Sequence, residues 1–409
     1  EEGSESHISQ CAVSGIRAPI ARIHSKVKGV YGGLATGNVL ISFKNSSESS
    51  YGNEQSYNSN ISGQIMKKYT EALNYLLGTQ KHKLVLDDMT IVFWAMNPEE
   101  TCEDLLLAMF CGQSEQMDAE QTNQMLKSLL EDARRGRIVT DRLRSADRIQ
   151  PDVDFYMAGL RPNSSRLAVK FIYQRKYADI LWNIARCQEE LRVSENIRPV
   201  SLARIKAELL SPKSRHDAVN PALLAKIFEA FVYGSRYPEA LLETVIRRIK
   251  TDTDMRINEV RAGIIKACIN RNHKKEELKV ALDQENHTPA YLCGRLFAVL
   301  EKLQQEVSGN SLNRTIKDAY FASASSRPAI VFPKLLKLAQ NHLNKSNYPG
   351  FYNKLIGEIT WHLEGEFPET LLLTDQGRFI IGYYQQYQSF FDHKRKEQEE
   401  QTEEMEDGN

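Results

Sequence analysis

The sequence is short of the patterns that most enzyme and membrane signatures require. Six cysteines (Cys11, Cys102, Cys111, Cys187, Cys268, Cys293) are scattered along 409 residues without a CxxC pair. That spacing gives no zinc knuckle and no disulfide framework, and it fits a reducing, cytoplasmic compartment. Nine histidines form no HxH or HExxH set, so no metal-catalytic signature is present. No GxSxG nucleophile elbow occurs. Apolar runs such as Ile91–Met96 are far too short to cross a bilayer, and no membrane association is expected. Net charge is absent too, with 53 Lys+Arg against 53 Asp+Glu, so no global field points to a partner. Glu1–Gln10 is polar and acidic, unlike a secretory signal, and reads as a flexible N-terminus.

What is present is the composition of a folded chain, 41% hydrophobic and 26% charged, long enough for roughly two to three domains. The expected fold class is α+β, with a small mixed sheet region in front of a mainly α-helical C-terminal bundle. Residues 11–198 form the mixed region, 199–391 the helical domain and 392–409 a charged, disordered or frayed tail. In the front region, Ile20–His24 and Val39–Phe43 read as short strands. Gln64–Leu77 has helical spacing, with Ser62 placed to cap it. Leu84–Leu86 and Thr90–Ala95 flank Asp87-Asp88 as a hairpin, and Glu120–Arg134 is amphipathic. Phe155–Gln174 is the clearest landmark. Apolar runs lie on both sides of Arg161-Pro162-Asn163-Ser164-Ser165-Arg166, and Leu167, Val169, Phe171 and Tyr173 alternate as one buried strand face. Tyr177–Leu191 reads as a helix packing on this hairpin. Helices are predicted over 201–210, 220–233, 238–250, 257–271, 289–305, 328–343, 349–363 and 374–391, several opened by Pro at the first helical position. No fixed repeat period is seen, which disfavours a solenoid.

Candidate chemistry is sparse. Gly32–Gly37, GGLATG, has the glycine spacing of a phosphate-binding loop, but Asn38-Val39 stands where Lys-Ser/Thr would hold phosphates and Mg²⁺. Nucleotide hydrolysis is therefore excluded here. A plain glycine turn and close approach to a nucleic-acid phosphate both remain open. Asp87, Asp88 and Glu100 are the carboxylates that a metal-dependent nuclease would use, although paired acids in turns are usually solvated. The basic clusters say more. Thr244–Lys279 holds ten Lys/Arg against five Asp/Glu, Asn310–Lys345 holds six against Asp318, and Arg134, Arg135 and Arg137 make a third group. Separate basic surfaces on a neutral chain suit a polyanion tracked along a groove, while each alone could be the solvated face of an amphipathic helix. The hairpin turn is equally open between a surface turn and a phosphate or base contact.

GLRPNSSRLAVKF resembles the SPN-type hairpin of the large subunit of the type I-C CRISPR Cascade effector, the Dvulg-subtype family. Cys11–Gly29, Ser42–Asn58, Pro289–Glu301, Thr315–Pro333 and Asp375–Tyr384 resemble further segments of that family, in order, from near residue 11 to about residue 388. Arg161 stands where the family has Ser, and Lys170 where it has Arg.

The resemblance implies a non-catalytic nucleic-acid-binding subunit with no cofactor. It implies binding at the crRNA 5′ end, recognition of the protospacer-adjacent motif, and R-loop support. Its partners would be crRNA, target double-stranded DNA, the backbone and crRNA-processing subunits, and a recruited nuclease-helicase. Arg161, Asn163, Arg166 and Lys170 are expected near nucleic acid, as are Arg134, Arg135, Arg137, Lys317, Arg327, Lys334 and Lys337. It further implies an N-terminal region that this chain is expected to lack, and a small-subunit-like bundle over about 255–391. Met255 is the sole Met between residues 158 and 404 and so a possible internal start. A helical protein–protein adaptor is the reading from a third class.

Overall fold

The computed structural model describes residues 7–96, 106, 107, 110, 153–194, 200–211, 213, 219–252, 257–273, 278–309 and 314–406, with backbone alone over 392–406. The expected helix at 120–134, Arg134, Arg135, Arg137 and Glu100 lie outside the described residues. The fold is α+β, a small sheet region followed by a helical C-terminal part. It divides into two compact units, Glu1–Asn183 with Ala218–Leu224 and Ile184–Asp217 with Ala225–Asn409.

The first unit begins with a two-stranded ribbon, β1 (Ile8–Gln10) and β2 (Arg17–Pro19). A six-stranded sheet follows in the order β3 (Lys26–Val27), β4 (Asn38–Val39), β8 (Arg166–Lys176), β7 (Asp154–Asn163), β6 (Met89–Ala95), β5 (Lys83–Leu86). The strands expected at Ile20–His24 and Val39–Phe43 are displaced to β2 and shortened to β4. Backbone partners explain both changes: β2 pairs with β1, and β4 has β3 on one side but only Val39 opposite Arg166 on the other. Helix α1 (Gly63–Gly78) starts where Ser62 accepts the Ile65 N–H, satisfying one orphan donor of the first turn. It lays Leu77 into a core with Val27, Val30, Val92, Ala158, Leu160 and Leu167.

The hairpin β7–β8 forms as predicted, but its turn is tighter. Asn163 pairs with Arg166, leaving Ser164-Ser165 as a two-residue loop, and Ser164 takes φ +56°. The regular buried stripe on β8 does not persist. Leu160 pairs with Val169 and Gly159 with Phe171, so Lys170 is the extra residue of a bulge. Of the expected face, Leu167 is buried and Phe171 and Tyr173 are half-buried, but Val169 is exposed. A side chain at 159 would overlap the Phe171 ring. At the base of the hairpin, α2 (Tyr177–Leu191) is tied down by Tyr177, whose N–H donates to the Val153 carbonyl and whose ring meets Phe155 at 5.6 Å.

The second unit contains α3 (Leu202–Leu209), the latter part of α4 (Pro221–Tyr233), α5 (Glu239–Thr251), α6 (Glu259–Asn272), α7 (Pro289–Ser308), α8 (Ile316–Ala324), α9 (Pro328–Leu343), α10 (Pro349–His362) and α11 (Leu373–Glu406). Its centre is aromatic: Phe297 of α7 meets Phe321, Phe332, Phe379 and Tyr383 edge-on at 5.5–6.5 Å. Helix α8 was not foreseen. A capping box starts it, Thr315 accepting the Lys317 N–H and Asp318 accepting the Thr315 N–H. The backbone of α11 continues as helix to Glu406, so the charged stretch after Phe391 is not an irregular tail up to that point. Its Lys, Arg, Gln and Glu are among the better helix formers.

Candidate nucleic-acid interface

Three loops meet at the tip of the β7–β8 hairpin in the first unit, and Asn38 joins two of them. Its side-chain amide donates to the Ser164 and Arg166 carbonyls at 2.8 and 3.4 Å, while its carbonyl accepts the Leu34 N–H at 3.0 Å. Asn38 is buried. The residue that disqualifies Gly32–Gly37 as a nucleotide loop is thus the one that fastens that loop to the hairpin. Gly32 and Gly37 adopt φ +70° and +91°, and a Cβ at Gly37 would lie 2.8 Å from the Val27 carbonyl. These glycines are required by backbone geometry. Tyr31 and Leu34 of this loop are exposed, and Lys26 Nζ donates to Thr36 Oγ1. The third loop, Lys44–Asn60, is held from within by Asn58, which accepts the Ser50 N–H and donates to the Asn53 and Gln55 carbonyls. It presents Tyr51 wholly to solvent from a left-handed backbone, φ +53°.

Both arginines of the hairpin are engaged by carboxylates. Arg161 lies 2.5 Å from Asp88, the acid that a nuclease reading would need free. Arg166 makes two parallel bonds to Glu48, at 2.6 and 2.9 Å. Glu48 also accepts the Lys44 and Asn45 N–H groups. The Arg166 guanidinium and these N–H groups hold the Glu48 carboxyl down at about 2. Asn163 and Lys170 are exposed. Among the described residues, no three His, Cys, Asp or Glu side chains converge as metal ligands.

A depressed carboxyl stabilises the fold above its unfolded value of 4.5 and loses that contribution as pH falls through its folded value of about 2. Glu48→Gln should therefore flatten this part of the acid limb of the stability curve. Denaturant melts of parent and variant between these pH values test it; parallel curves would show that the pair contributes nothing.

In the second unit the basic clusters separate by burial. In the cluster over 244–279 the cations of α6 are interior, because that helix is enclosed on nearly all sides, whereas Arg248 and Lys250 are half-buried, Arg247 and Lys279 are exposed, and Arg256, Lys274 and Lys275 lie outside the described residues. Arg261 binds Glu208 and Asp252 at 2.8 Å each, and Arg248 also binds Asp252. Arg271 pairs with Glu190 at 2.5 Å, donates to the Ala230 and Ser235 carbonyls and lies over the Tyr237 ring. Lys266 donates to the Glu190 carbonyl. All three cations of α6 are buried. For these α6 cations the reading of a polyanion surface is replaced by internal pairing; a charge count does not distinguish a solvated cation from a compensated buried one.

The cluster over 310–345 behaves differently. Lys317 is drawn inward, over the Tyr383 ring at 5.2 Å, where its charge favours the carboxylate of buried Glu301 while burial pushes that carboxyl up. Arg327, Lys334, Lys337 and Lys345 are exposed. Arg327 precedes α9, and Ile330, Lys334 and Lys337 follow at steps of three and four, so they share one helix face. Tyr348 and Phe351 stand exposed just beyond Lys345. Sequence reading missed these two aromatics, although Lys345-Ser-Asn-Tyr348 carried a signal in its mixture of cation and ring.

A family model described as CRISPR-associated protein (Cas_Csd1) matches residues 1–391. No curated protein matches the chain.

Proposed function

We propose that this chain, which belongs to the Cas_Csd1 family of CRISPR-associated proteins and is thus a type I-C Cascade large subunit, binds nucleic acid without catalysing a reaction on it. It supports the crRNA 5′ end, engages target DNA at the protospacer-adjacent motif and stabilises the R-loop. The observation that carries this reading is the exposed face of α9 and the start of α10, where Arg327, Lys334, Lys337 and Lys345 adjoin Tyr348 and Phe351. Cations along a helix neutralise successive phosphates without reading sequence, and rings beside them stack on unpaired bases. Guide pairing supplies the sequence information, so the protein needs backbone contacts and one short duplex read. The fastened glycine loop and hairpin tip favour that second task, since two neighbouring loops are held in fixed relation with Tyr31, Asn163 and the serines facing outward. Its partners are the other complex subunits, crRNA, target DNA and the recruited nuclease-helicase, all in the cytoplasm.

Lys334→Ala/Lys337→Ala in the assembled complex should lower the slope of log affinity against log salt by about 1.5 for target DNA, roughly 0.7–0.9 for each phosphate contact. Competition binding across a salt series reads this directly, and an unchanged slope would remove the α9 face from the interface.

A further inference from the structure

A second surface of the helical unit has the opposite chemistry. His287, before α7, stacks on His362, the last residue of α10, with ring centroids 3.8 Å apart and planes 14° from parallel. These rings line an open groove of about 1120 Å³ together with Trp361, Glu364, Glu366 and Phe367. Trp361 is 81% exposed, far more than an isolated indole usually is. The residues lining the groove include Glu364 and Glu366 and no Lys or Arg.

The wall of this groove is rigid. Glu364 and Gly365 take φ +52° and +79° in a turn closed by Glu364 N–H to the Trp361 carbonyl and Glu366 N–H to the Leu363 carbonyl. Phe367 stacks on Phe332 at 4.9 Å, while the Ala329 N–H bonds to the Pro368 carbonyl and the Leu371 N–H to the Ser326 carbonyl. The carboxylates therefore sit on a braced loop beside an open indole.

We infer that this groove docks an arginine- or lysine-bearing peptide segment of another protein subunit of the complex. Charge complementarity selects the occupant. A guanidinium stacks on indole and imidazole planes and binds carboxylates through two parallel N–H groups, and an ammonium is attracted to the same ring face. Phosphate is repelled by a lining that holds two acids, Glu364 and Glu366, and no lysine or arginine, so nucleic acid belongs on the α9 face and protein on this one. The inference rests on the chain's place in a multi-subunit complex, and its failure would leave the DNA-binding face untouched.

The test uses full-length chain and the subcomplex of backbone and processing subunits with crRNA. Glu364→Gln/Glu366→Gln and Trp361→Ala should each weaken association with that subcomplex at least tenfold, while circular dichroism and the salt slope for DNA stay at parental values. Added salt should weaken parental association and affect the glutamine variant less. Subunit affinity unchanged in both variants would overturn the inference. Loss of single-stranded DNA binding with subunit affinity intact would also overturn it and assign the groove to a nucleobase.

Discussion

Gly294→Ala should destabilise the helical unit by about 3 kcal/mol, the upper part of the range for overpacking. Helices α7 and α11 cross so closely that a Cβ at Gly294 would overlap the Phe379 carbonyl oxygen and lie 2.8 Å from the Tyr383 nitrogen. From the other side, a Cβ at Gly382 would overlap the Tyr291 carbonyl oxygen. The obstacles are backbone atoms inside helices, so no rotamer change can relieve them; the helices must part. Separation would loosen the aromatic centre around Phe297 and stretch the Tyr383 hydroxyl bond to Glu301, now 2.7 Å. Gly357→Ala is the control. It lies in α10 with nothing within 4 Å of its Cβ, so alanine there should stabilise by about 0.5–1 kcal/mol through helix propensity alone. Chemical denaturation of the two variants separates the effects. Equal shifts would mean that the crossing does not depend on glycine.

Removing one acid from the α6 network should cost as much or more. Asp252→Asn leaves Arg248 without its carboxylate and Arg261 with Glu208 alone, and breaking a buried pair costs about 3–5 kcal/mol. Arg261→Met combined with Asp252→Asn should recover part of that loss, since the remaining site then holds one less buried charge. The same network bears on a small-subunit-like fragment beginning at Met255. The acids that hold Arg261 and Arg271, Glu208, Asp252 and Glu190, all precede that residue, as does the carbonyl that receives Lys266. A side chain at Gly263 would overlap the Leu191 carbonyl, so the chain before 255 also packs directly against α6. A 255–409 fragment should show helical circular dichroism with dispersed tertiary signals lost, while 184–409 folds cooperatively. A sharp, two-state melt of the shorter fragment would refute this.

Local order was legible wherever it is set by neighbours in the chain. Ser62 before α1, the prolines opening α7, α9 and α10, and the two runs of the Phe155–Gln174 hairpin marked elements that the fold contains. The missed α8 had its signal in Thr315 and Asp318, a pair three positions apart that caps a helix too short to show periodicity. The Lys170 bulge was not legible, because it depends on the close approach of Gly159 to Phe171 across two strands. Nor were the partners of Arg161 and Arg166: Asp88 and Glu48 lie 73 and 118 residues away in sequence.

By itself the sequence determined the class, the order of the elements and the family, since hydrophobic period, caps and ordered segments are properties of consecutive residues. Tertiary structure alone decided what each cation does. The cluster over 244–279 and the cluster over 310–345 look alike as a string of charges, yet folding encloses α6 on nearly all sides and leaves one face of α9 in water. Burial forces a cation to find a carboxylate, as Arg261 and Arg271 do, and solvent exposure leaves Lys334 and Lys337 facing outward. The acidic groove beside Trp361 arises in the same way, from a braced turn that brings Glu364 and Glu366 alongside an indole and two stacked imidazoles.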